Sequence, residues 1–483
     1  MGHSKKGIIV NTIIALVMAA IFVLVAASVL GTFFSGFCRP SGAIADATNV
    51  VCFGGGKDQY IRCLNKADGI EAFSVGAAPN WDKKEAKSTP VLTKDAIYSG
   101  LGQYFISYAI TGTQKFCGIR SDHTIPTGVA VDKTDGTEEL ACFGGGSDHT
   151  LHCQNTGTGE QVFSVKFKAG ESNFDGDKNC PLWMQNIQEI PAGTRDTETT
   201  SEYYHEAGSN NYYYSNRECR ALATPAIVDN QVYFALGNKV CRISADSISD
   251  ATASATCKAF DWTIGDAKKP MGITVDKDKE LVCFGGGKDH NMRCLDLNLN
   301  DKLKVHAGDK WLLRDAKSTP TITADKIYFG IGNRVCAVSA DERASVDAQL
   351  IVEGKVVGAW CSKSFGYIIS TGIAVDETNK LVCFGGGADQ TVHCLNTDTG
   401  NEAFYIRAGN WDEKDADSTP LISDNVIYAA IGDKVCAFKL PIMGGDKDFS
   451  DGVFEYSGDV DAKWGICYDV DYQIPTGIVG LQE

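Results

Sequence analysis

The stretch VCFGGGKDQYIRCLN, from Val51 to Asn65, occurs in four related copies along the chain. The other three are ACFGGGSDHTLHCQN (141–155), VCFGGGKDHNMRCLD (282–296) and VCFGGGADQTVHCLN (382–396). Each copy places a glycine-rich turn with an aspartate between two short apolar segments, and each segment carries one cysteine. Such a pattern predicts a β-hairpin in which the two cysteines lie on opposed strands.

A second string, which carries Thr-Pro near its start, alternates with the first one. Its copies are KSTPVLTKDAIYSGLG (87–102), ALATPAIVDNQVYFALGNKVC (221–241), KSTPTITADKIYFGIGNRVC (317–336) and DSTPLISDNVIYAAIGDKVC (417–436). Alternating apolar residues bounded by Gly, Asn and Asp predict short antiparallel strands that follow one another. We therefore interpret both strings as one four-stranded unit in two forms, the A unit with GGG and the B unit with Thr-Pro.

The units alternate strictly along the chain, at a spacing of about 45 residues that is typical of four-stranded propeller blades. Their ranges are A 44–80, B 88–120, A 125–166, B 221–264, A 269–306, B 316–365, A 369–407 and B 417–470. The C-terminal QIPTGIVGLQE matches the first strand of an A unit, TIPTGVAVD (124–132). We expect Ile474–Leu481 to complete blade 1 and close the ring, which removes an open sheet edge. The predicted fold is an all-β, eight-bladed β-propeller of four-stranded antiparallel blades.

The chain has 18 cysteines, and an even number at repeated spacings indicates disulfides formed in an oxidising compartment. Opposed residues on neighbouring strands bring Cβ atoms about 4.5–5.5 Å apart, near disulfide reach. The bridges predicted within blades are Cys52–Cys63, Cys142–Cys153, Cys241–Cys257, Cys283–Cys294, Cys336–Cys361, Cys383–Cys394 and Cys436–Cys467. Two further bridges are predicted, Cys38–Cys117 between the N-terminal segment and blade 2, and Cys180–Cys219 within an insertion.

Metal ligation is the competing interpretation of the cysteines. Cys-x-x-Cys spacing is absent, and a histidine adjoins a cysteine only at His152–Cys153 and His393–Cys394. Neighbouring residues of a strand point to opposite faces, so these pairs make poor chelates. Disulfides are therefore the preferred interpretation.

The N-terminus predicts a membrane anchor. Residues 7–37 hold no charged side chain, and this run exceeds the roughly 20 apolar residues that a helix needs to cross a bilayer. Lys5 and Lys6 precede it, so residues 1–6 are expected in the cytoplasm and the propeller, 38–483, outside it. A cleaved signal peptide is the alternative, although its apolar core spans only about 7–15 residues. We predict a single-pass protein of the cell membrane.

The same N-terminus also resembles archaeal archaellins and type IV pilins. The residues that carry the resemblance are SKKGIIVNTIIALVMAAIFVLVAASVL (4–30), in which Lys-Lys-Gly precedes a long apolar helix. The resemblance implies cleavage between Gly7 and Ile8, followed by self-assembly of the apolar helices into a filament. A plain single-pass anchor explains the same residues, and both interpretations stay open.

The Thr-Pro strings resemble the PQQ-type repeat of eight-bladed quinoprotein-like propellers and of a related envelope assembly lipoprotein. The resemblance rests on Thr89-Pro90, Thr224-Pro225, Thr319-Pro320 and Thr419-Pro420, each followed by apolar residues and a Gly-Asn, Gly-Asp or Gly-Gln turn. It implies a propeller fold, and it implies little about activity because one fold hosts many functions. Where that family often has Trp on the outer strand, this chain has Phe73, Phe163 and Phe404, and it keeps Trp262 in blade 4.

Motifs of catalytic sites are not found in the sequence. Quinoprotein alcohol dehydrogenases carry two adjacent cysteines over their cofactor, whereas this chain has no adjacent pair and no CxxCH haem site. GxSxG, HExxH and Walker motifs are absent as well. The formal net charge of −16, without a Lys/Arg-rich stretch, lacks the footprint of nucleic-acid binding. We predict a non-enzymatic protein with neither a cofactor nor a nucleic-acid partner.

An insertion at 169–221 separates blades 3 and 4. Long loops on a rigid scaffold often carry function, and clustered tyrosines make good contact surface. The candidate contact residues are Tyr203, Tyr204, Tyr212, Tyr213 and Tyr214. Asp175 and Asp177 hint at calcium-loop spacing. The alternative is a loop without a binding role.

Two repeated features have both a structural and a functional interpretation. The aspartate after each GGG suits turn chemistry, and four such residues could instead ring a channel and bind cations. These aspartates are Asp58, Asp148, Asp289 and Asp389. Trp81, Trp311 and Trp411, on the connections from A to B units, are expected to cover the seams between blades, with a role in a pocket as the alternative.

These features together predict a membrane-anchored extracytoplasmic propeller that binds or scaffolds an unknown protein or surface ligand. Two alternatives remain, a pilin-like filament subunit that displays the propeller as a head, and a PQQ-dependent oxidoreductase.

Overall fold

In a computed structural model of the chain, the repeated hairpins form eight antiparallel sheets, blades 1 to 8. The structure describes residues 40–42, 44, 46–79, 81, 84–120, 124–134, 138–146, 150–166, 202–205, 212–215, 223–245, 255–260, 271–309, 311–341, 345–407, 415–440, 453–455 and 467–481. We call the four strands of a blade a, b, c and d in chain order. In blade 1 the C-terminal segment takes the position of strand a, so the three consecutive strands of that blade are b, c and d. First strands of neighbouring blades contact one another, which places strand a nearest the ring axis.

The strands have the following bounds. Blade 1 has Val50–Gly54, Tyr60–Asn65 and Glu71–Gly76; blade 2 has Val91–Leu92, Ala96–Leu101, Tyr104–Ala109 and Gln114–Arg120; blade 3 has Val129–Thr134, Glu138–Gly144, Thr150–Asn155 and Gln161–Lys166; blade 4 has Ala226–Val228, Gln231–Leu236, Lys239–Ser244 and Thr256–Ala259. Blade 5 has Thr274–Asp276, Leu281–Gly285, Asn291–Leu295 and Asp301–His306; blade 6 has Thr321–Ile322, Lys326–Ile331, Arg334–Ser339 and Trp360–Cys361; blade 7 has Ala374–Asp376, Leu381–Gly385, Thr391–Asn396 and Glu402–Arg407; blade 8 has Leu421–Ser423, Val426–Ile431, Lys434–Lys439 and Tyr468–Asp469.

The cysteines are opposed across the strands as the hairpin pattern requires. In A blades strand b faces strand c, as at Cys52 and Cys63, and in B blades strand c faces strand d, as at Cys241 and Cys257. Seven disulfides link described residues, and they join the seven pairs that the sequence assigns within blades. Their Cα atoms lie 4.0–4.4 Å apart.

Blade 2 differs from the other B blades in its cysteine pattern. Its register opposes Cys117 to Ile106, so blade 2 has no cysteine in the usual partner position. Cys117 is itself disulfide-bonded. Its predicted partner, Cys38, lies outside the described residues, as do Cys180 and Cys219 of the other predicted bridge.

The C-terminal segment supplies the strand that blade 1 lacks. Val479 and Cys52 exchange two backbone hydrogen bonds, of 2.8 and 3.0 Å, in an antiparallel bridge. Leu481 continues as a parallel bridge to Leu92 of blade 2. The ring is therefore closed by residues from both ends of the described chain, as the sequence predicts, and the inner edge of blade 1 is covered.

Three short strands that were not predicted from the sequence cover the outer edges of A blades. Pro40–Gly42 pairs antiparallel with strand d of blade 1. Ser345–Asp347 and Val453–Glu455 pair parallel with strand d of blades 5 and 7, and each comes from the c-to-d connection of the following B blade. Covering an edge strand protects its free backbone groups from pairing with another chain. A short helix, Ala348–Val352, follows the second of these strands, and the Asp347 side chain caps it.

Strands b and c form the core because each blade is packed between two neighbours. Every A blade buries the phenylalanine of its GGG string and every B blade buries the aromatic residue of its Thr-Pro string. These residues are Phe53, Phe143, Phe284, Phe384, Tyr98, Tyr233, Tyr328 and Tyr428. Burial of one such ring contributes about 1.5–3 kcal/mol. The rings also join blades, since Phe105 of blade 2 stacks on Phe143 of blade 3 at 4.9 Å.

The two ends of the ring carry different loops. We call the end that holds the GGG turns the GGG face. Strands b and d run toward this face, so the connections between blades also lie there, and Ala86 of one connection pairs with Gly56 of a GGG turn. The turns between strands c and d of A blades, such as residues 66–70, lie on the opposite face.

Within the described residues, no helix is both long enough and apolar enough to cross a bilayer. The predicted membrane helix, 7–37, lies outside the described residues, as do the cleavage residues Gly7 and Ile8.

Candidate functional site

The three glycines of the repeated string have three different physical roles. In blade 1, a Cβ on Gly54 would lie 2.5 Å from the carbonyl oxygen of Ala86, and a Cβ on Gly55 would lie 2.1 Å from the Asp58 carboxylate. Gly56 has a φ of +63°, which favours glycine. Blades 5 and 7 repeat the two close approaches at Gly285, Gly286, Gly385 and Gly386. The glycines therefore allow the connection to the next blade and the aspartate side chain to approach the turn closely.

The aspartate after the glycines is buried in its turn and joined to a basic side chain four residues later. The Asp58 carboxylate accepts from the backbone N–H of Tyr60 at 2.9 Å and from Arg62 Nε at 3.0 Å. Asp289 accepts from Arg293 Nε at 2.8 Å in blade 5, and Asp389 contacts His393 Nε2 at 2.7 Å in blade 7. These aspartates serve turn and ion-pair chemistry, which favours the structural interpretation over a cation-binding ring. Asp148 of blade 3 lies outside the described residues.

In blade 1 the ion pair extends across the seam to blade 8. Arg62 Nη1 donates to Glu71 at 2.6 Å and to the Tyr468 hydroxyl at 3.1 Å, and that hydroxyl donates to Glu71 at 2.6 Å. Burial raises the pKa of Glu71, but hydrogen bonds from Ser74, Tyr468 and Arg62 outweigh it and hold the pKa below the ordinary value. Burial also raises the pKa of Tyr468 to about 12. The cluster therefore stays charged and closed near neutral pH.

Blade 7 has a histidine where blades 1 and 5 have arginine. The imidazole of His393 lies between two carboxylates, with Nε2 2.7 Å from Asp389 and Nδ1 2.6 Å from Glu402. It stacks on Phe384 of its own blade at 5.3 Å and meets Phe365 of blade 6 at 4.5 Å. The His393 side chain is 10% exposed. A second cation, Lys363, pairs with Glu402 from the blade 6 side.

The pKa values in this group reflect a balance of burial and pairing. Burial lowers the pKa of His393, but its hydrogen bonds to Asp389 and Glu402 outweigh burial and raise the pKa above 6.5. Burial raises the pKa of Glu402, but hydrogen bonds from His393 and Lys363 outweigh it and lower the pKa. The arrangement therefore favours an imidazolium held by two carboxylates at the seam between blades 6 and 7.

The seams from A to B blades are joined by a repeated threonine–glycine hydrogen bond. The threonine of each Thr-Pro string accepts, through Oγ1, from the backbone N–H of a glycine on the preceding A blade. The four pairs are Thr89–Gly477 at 3.1 Å, Thr224–Gly128 at 2.8 Å, Thr319–Gly272 at 2.6 Å and Thr419–Gly372 at 2.7 Å. Gly477 belongs to the C-terminal closing segment, which thus behaves as the first strand of an A blade.

Two of the three repeated tryptophans lie at seams, as the sequence predicts. Trp81 is buried and packs on Tyr104 of blade 2, with ring centroids 4.2 Å apart. Trp311 donates through Nε1 to Gln349 at 2.9 Å, and Arg334 of blade 6 lies over its ring. Trp411 lies outside the described residues. The described pair covers seams between an A blade and the following B blade.

The tyrosine-rich insertion contains a two-stranded antiparallel hairpin, Glu202–His205 with Tyr212–Ser215. Its register opposes Tyr203 to Tyr214 and Tyr204 to Tyr213. The hairpin is not part of any blade sheet. Asp175 and Asp177, whose spacing suggested a calcium-binding loop, lie outside the described residues.

A metal site is not evident in the described part of the chain, where no group of three or more His, Cys, Asp or Glu side chains is arranged to hold an ion.

The polar clusters that the structure does hold are paired internally, and their geometry joins blades. Sequence analysis missed these clusters, although a signal was present. A basic residue stands four positions after the aspartate of every GGG string, as Arg62, His152, Arg293 and His393.

Comparisons with known proteins find similar folds at low identity. No protein-family profile matches the chain, and no curated protein matches it. BamB from Moraxella catarrhalis, whose crystal structure is known, is 13% identical to this chain in sequence. Its structure matches with a TM-score of 0.47, and the match covers 76% of this chain and 85% of that one. The dihydro-heme d1 dehydrogenase NirN is 8% identical, with a TM-score of 0.49 over 84% of this chain and 74% of that one. The computationally designed Ika8 protein is 10% identical, with a TM-score of 0.46 over 80% of this chain and 96% of that one.

Proposed function

We propose that the protein is a membrane-anchored, extracytoplasmic propeller that acts as a non-catalytic binding and scaffolding module at the cell surface. The observation that carries the proposal is the tyrosine-rich hairpin, 202–205 with 212–215, which stands outside the blade sheets of a closed ring. A rigid ring that presents an additional aromatic hairpin is suited to contact a partner, because tyrosine adds contact surface at low entropic cost.

Two features of the chain support the proposed location. The seven disulfides between described residues are typical of an oxidising compartment, which favours the outside of the cytoplasm. The uncharged run 7–37, preceded by Lys5 and Lys6, supports an anchor that leaves the propeller on that side. The anchor makes the membrane itself one partner of the protein.

The internally paired charged groups support a structural role rather than catalysis. His393 and Glu402 bond to one another, and their other partners are Asp389 and Lys363. Arg62 is likewise engaged by Asp58 and Glu71. We therefore assign these groups to the seams between blades.

The test begins with the native protein in its own membranes. We expect it to resist carbonate extraction and to be digested by protease added outside the cell only after reduction of its disulfides. A mature N-terminus at Ile8, read by peptide mass, would replace the anchor by a pilin-like subunit. Extraction by carbonate, without such processing, would remove the anchor from the proposal.

Binding is tested by replacing residues 202–215 with a glycine-serine linker of equal length. The matched control replaces residues 354–358, another surface segment, in the same way. We expect chemical cross-linking in whole cells to yield a discrete complex with the native chain and with the control, and to lose it with the 202–215 variant. A complex that persists in both variants would contradict the role of the hairpin.

A further inference from the structure

We propose that the GGG face of the ring lies against the lipid surface into which the N-terminal segment inserts. This inference rests on the proposed anchor and adds the orientation of the propeller to it. The alternative orientations leave the GGG face pointing away from the membrane or turned to one side.

The point at which the N-terminal segment joins the ring is the first observation. Pro40, the first described residue, pairs with Val75 at the end of strand d of blade 1, which runs toward the GGG face. Only Cys38 and Arg39 separate Pro40 from Phe37, the end of the uncharged run. An extended chain spans about 3.5 Å per residue, so this link reaches no more than about 10 Å. The ring must therefore lie close to the membrane, with the GGG side of blade 1 nearest to it.

Exposed apolar side chains on the GGG face are the second observation. Eight large hydrophobic side chains are exposed among the described residues, and six of them belong to this face. The six are Tyr60, Leu312, Leu350, Val352, Tyr367 and Tyr472. Of the other two, Ile70 lies in a c-to-d turn on the opposite face, and Val357 lies between the helix 348–352 and strand d of blade 6.

Backbone contacts fix each of these positions. Tyr60 follows a GGG turn directly, and Leu312 lies in the connection from blade 5 to blade 6. The helix that carries Leu350 and Val352 is tied to that same connection by the Trp311–Gln349 hydrogen bond. The connections that carry Tyr367 and Tyr472 bond to the b-to-c turns of blades 6 and 8 through the amides of Ile369 and Ile474. The exposed set therefore extends over one end of the ring from blade 5 to blade 1.

The chemistry of this surface fits a lipid headgroup region. Leu312 is 100% exposed. Contact of this apolar side chain with water is unfavourable in free energy, and insertion between lipids would remove that contact. Tyrosine is enriched at membrane interfaces, because its ring is apolar and its hydroxyl stays hydrated. Two lysines near this surface are paired locally, Lys317 with Asp315 at 3.3 Å and Lys87 with Glu85 at 2.6 Å. Apolar and aromatic tips beside such paired charges favour a zwitterionic lipid surface.

The insertion leaves the ring on the same face. Lys166 ends strand d of blade 3 and Ala226 begins strand a of blade 4, so both ends of the connection 167–225 lie on the GGG face. The chain that carries the hairpin 202–215 therefore leaves and re-enters the ring at its membrane-facing end.

Photo-cross-linking of the full chain tests the orientation. The chain is reconstituted in phosphatidylcholine vesicles with a diazirine analogue of leucine at position 312. The control carries the same analogue at Ile70, which is 65% exposed on the opposite face. We expect lipid adducts at position 312 to exceed those at position 70 by at least about tenfold, because only one face meets the interface. Equal labelling, or more at position 70, would overturn the proposal.

Two further measurements, the identity of the adducts and carbonate extraction, distinguish the possible outcomes. Adducts of position 312 with a second copy of the chain, in place of lipid adducts, would assign the face to self-association and overturn the lipid contact. Carbonate extraction of the same vesicles separates the two proposals, since an extracted chain contradicts the anchor itself. If the chain resists extraction but forms no lipid adducts at position 312, only the proposed orientation is contradicted. The thermal unfolding of both labelled chains is expected to match the native protein, because both side chains are exposed.

Discussion

The hydroxyl of Thr476 bonds to both backbone groups of Gly54, which lies 422 residues earlier in the chain. It accepts from the Gly54 N–H at 2.8 Å and donates to the Gly54 carbonyl at 2.9 Å. Thr371 makes the same two bonds to Gly385 within blade 7. Ring closure therefore uses the contact that an ordinary A blade makes internally, with the C-terminal segment in place of strand a.

Replacement of this hydroxyl should weaken closure. We expect T476V to lower the free energy of unfolding by about 1–3 kcal/mol, because two buried backbone groups of Gly54 lose their partner. Hydrogen exchange should also become faster at the Cys52 amide, which donates to Val479. Chemical denaturation and mass-detected hydrogen exchange measure the two effects.

The T371V variant is the matched control. It removes the same pair of bonds from a strand that the chain holds at both ends. We expect a similar loss of stability with no change of exchange at Cys52. Unchanged exchange at Cys52 in T476V would show that closure does not depend on the hydroxyl.

The second glycine of the GGG string should tolerate no side chain. In Gly286→Ala the new Cβ would lie 2.1 Å from the Asp289 carboxylate, which is held by Arg293 and the Asn291 amide. We expect a loss of about 2 kcal/mol or more in the free energy of unfolding, through displacement of a buried ion pair. Thermal and denaturant unfolding of the purified protein measure it.

Gly366→Ala is the control for backbone effects alone. No atom lies within 4 Å of a Cβ built on Gly366, and its φ is not in the left-handed region. We expect stability within about 0.5 kcal/mol of the native chain, or a slight gain from the less flexible unfolded state. If the two variants were equally stable, steric exclusion by Asp289 would be the wrong explanation of the glycine.

The fold was predictable because its information is local and repeated. Hairpin strings, cysteine spacing and the matching C-terminus placed the blades, the seven bridges and the closing strand. The outer strand Ser345–Asp347 was not predictable, since it depends on how a long connection packs on a neighbouring blade. The Asp–Arg and Asp–His pairs of the GGG strings could have been predicted from the sequence. Their four-residue spacing begins in a turn and ends in a strand, however, so neither the helical nor the strand period predicts that the two side chains meet.

A disulfide that closes a longer loop should stabilise the ring somewhat more. Cys52 and Cys63 are separated by 11 residues, and Cys436 and Cys467 by 31. In the chain-entropy view, the longer loop contributes roughly 1 kcal/mol more, on a base of about 3 kcal/mol. We expect the double variant C436A/C467A to unfold at lower denaturant than C52A/C63A. Equal midpoints would argue that packing of the bridge, rather than loop closure, sets the contribution.

A pH dependence should arise at the seam between blades 6 and 7. The pKa of His393 is raised above 6.5 in the folded protein. A raised histidine pKa contributes stability that is fully present below the unfolded value and is lost as the pH rises through the folded value. The groups around the imidazole are Asp389, Glu402 and, through Glu402, Lys363. We expect the midpoint of thermal unfolding to fall as the pH rises from about 6 to 9, as the imidazolium loses its proton.

The variant H393R is the sharpest test, because blades 1 and 5 already carry arginine at the equivalent position, as Arg62 and Arg293. Arginine keeps its charge over this whole pH range, so the variant should hold both carboxylates without a pH-dependent loss. H393Q should lose the ion pairs at every pH and be less stable than the native chain at pH 6. Below about 4.5 all variants should weaken together, because Glu402 has a lowered pKa and loses its contribution on protonation. A native profile that runs parallel to that of H393R between pH 6 and 9 would show that His393 does not set the pH dependence of this seam.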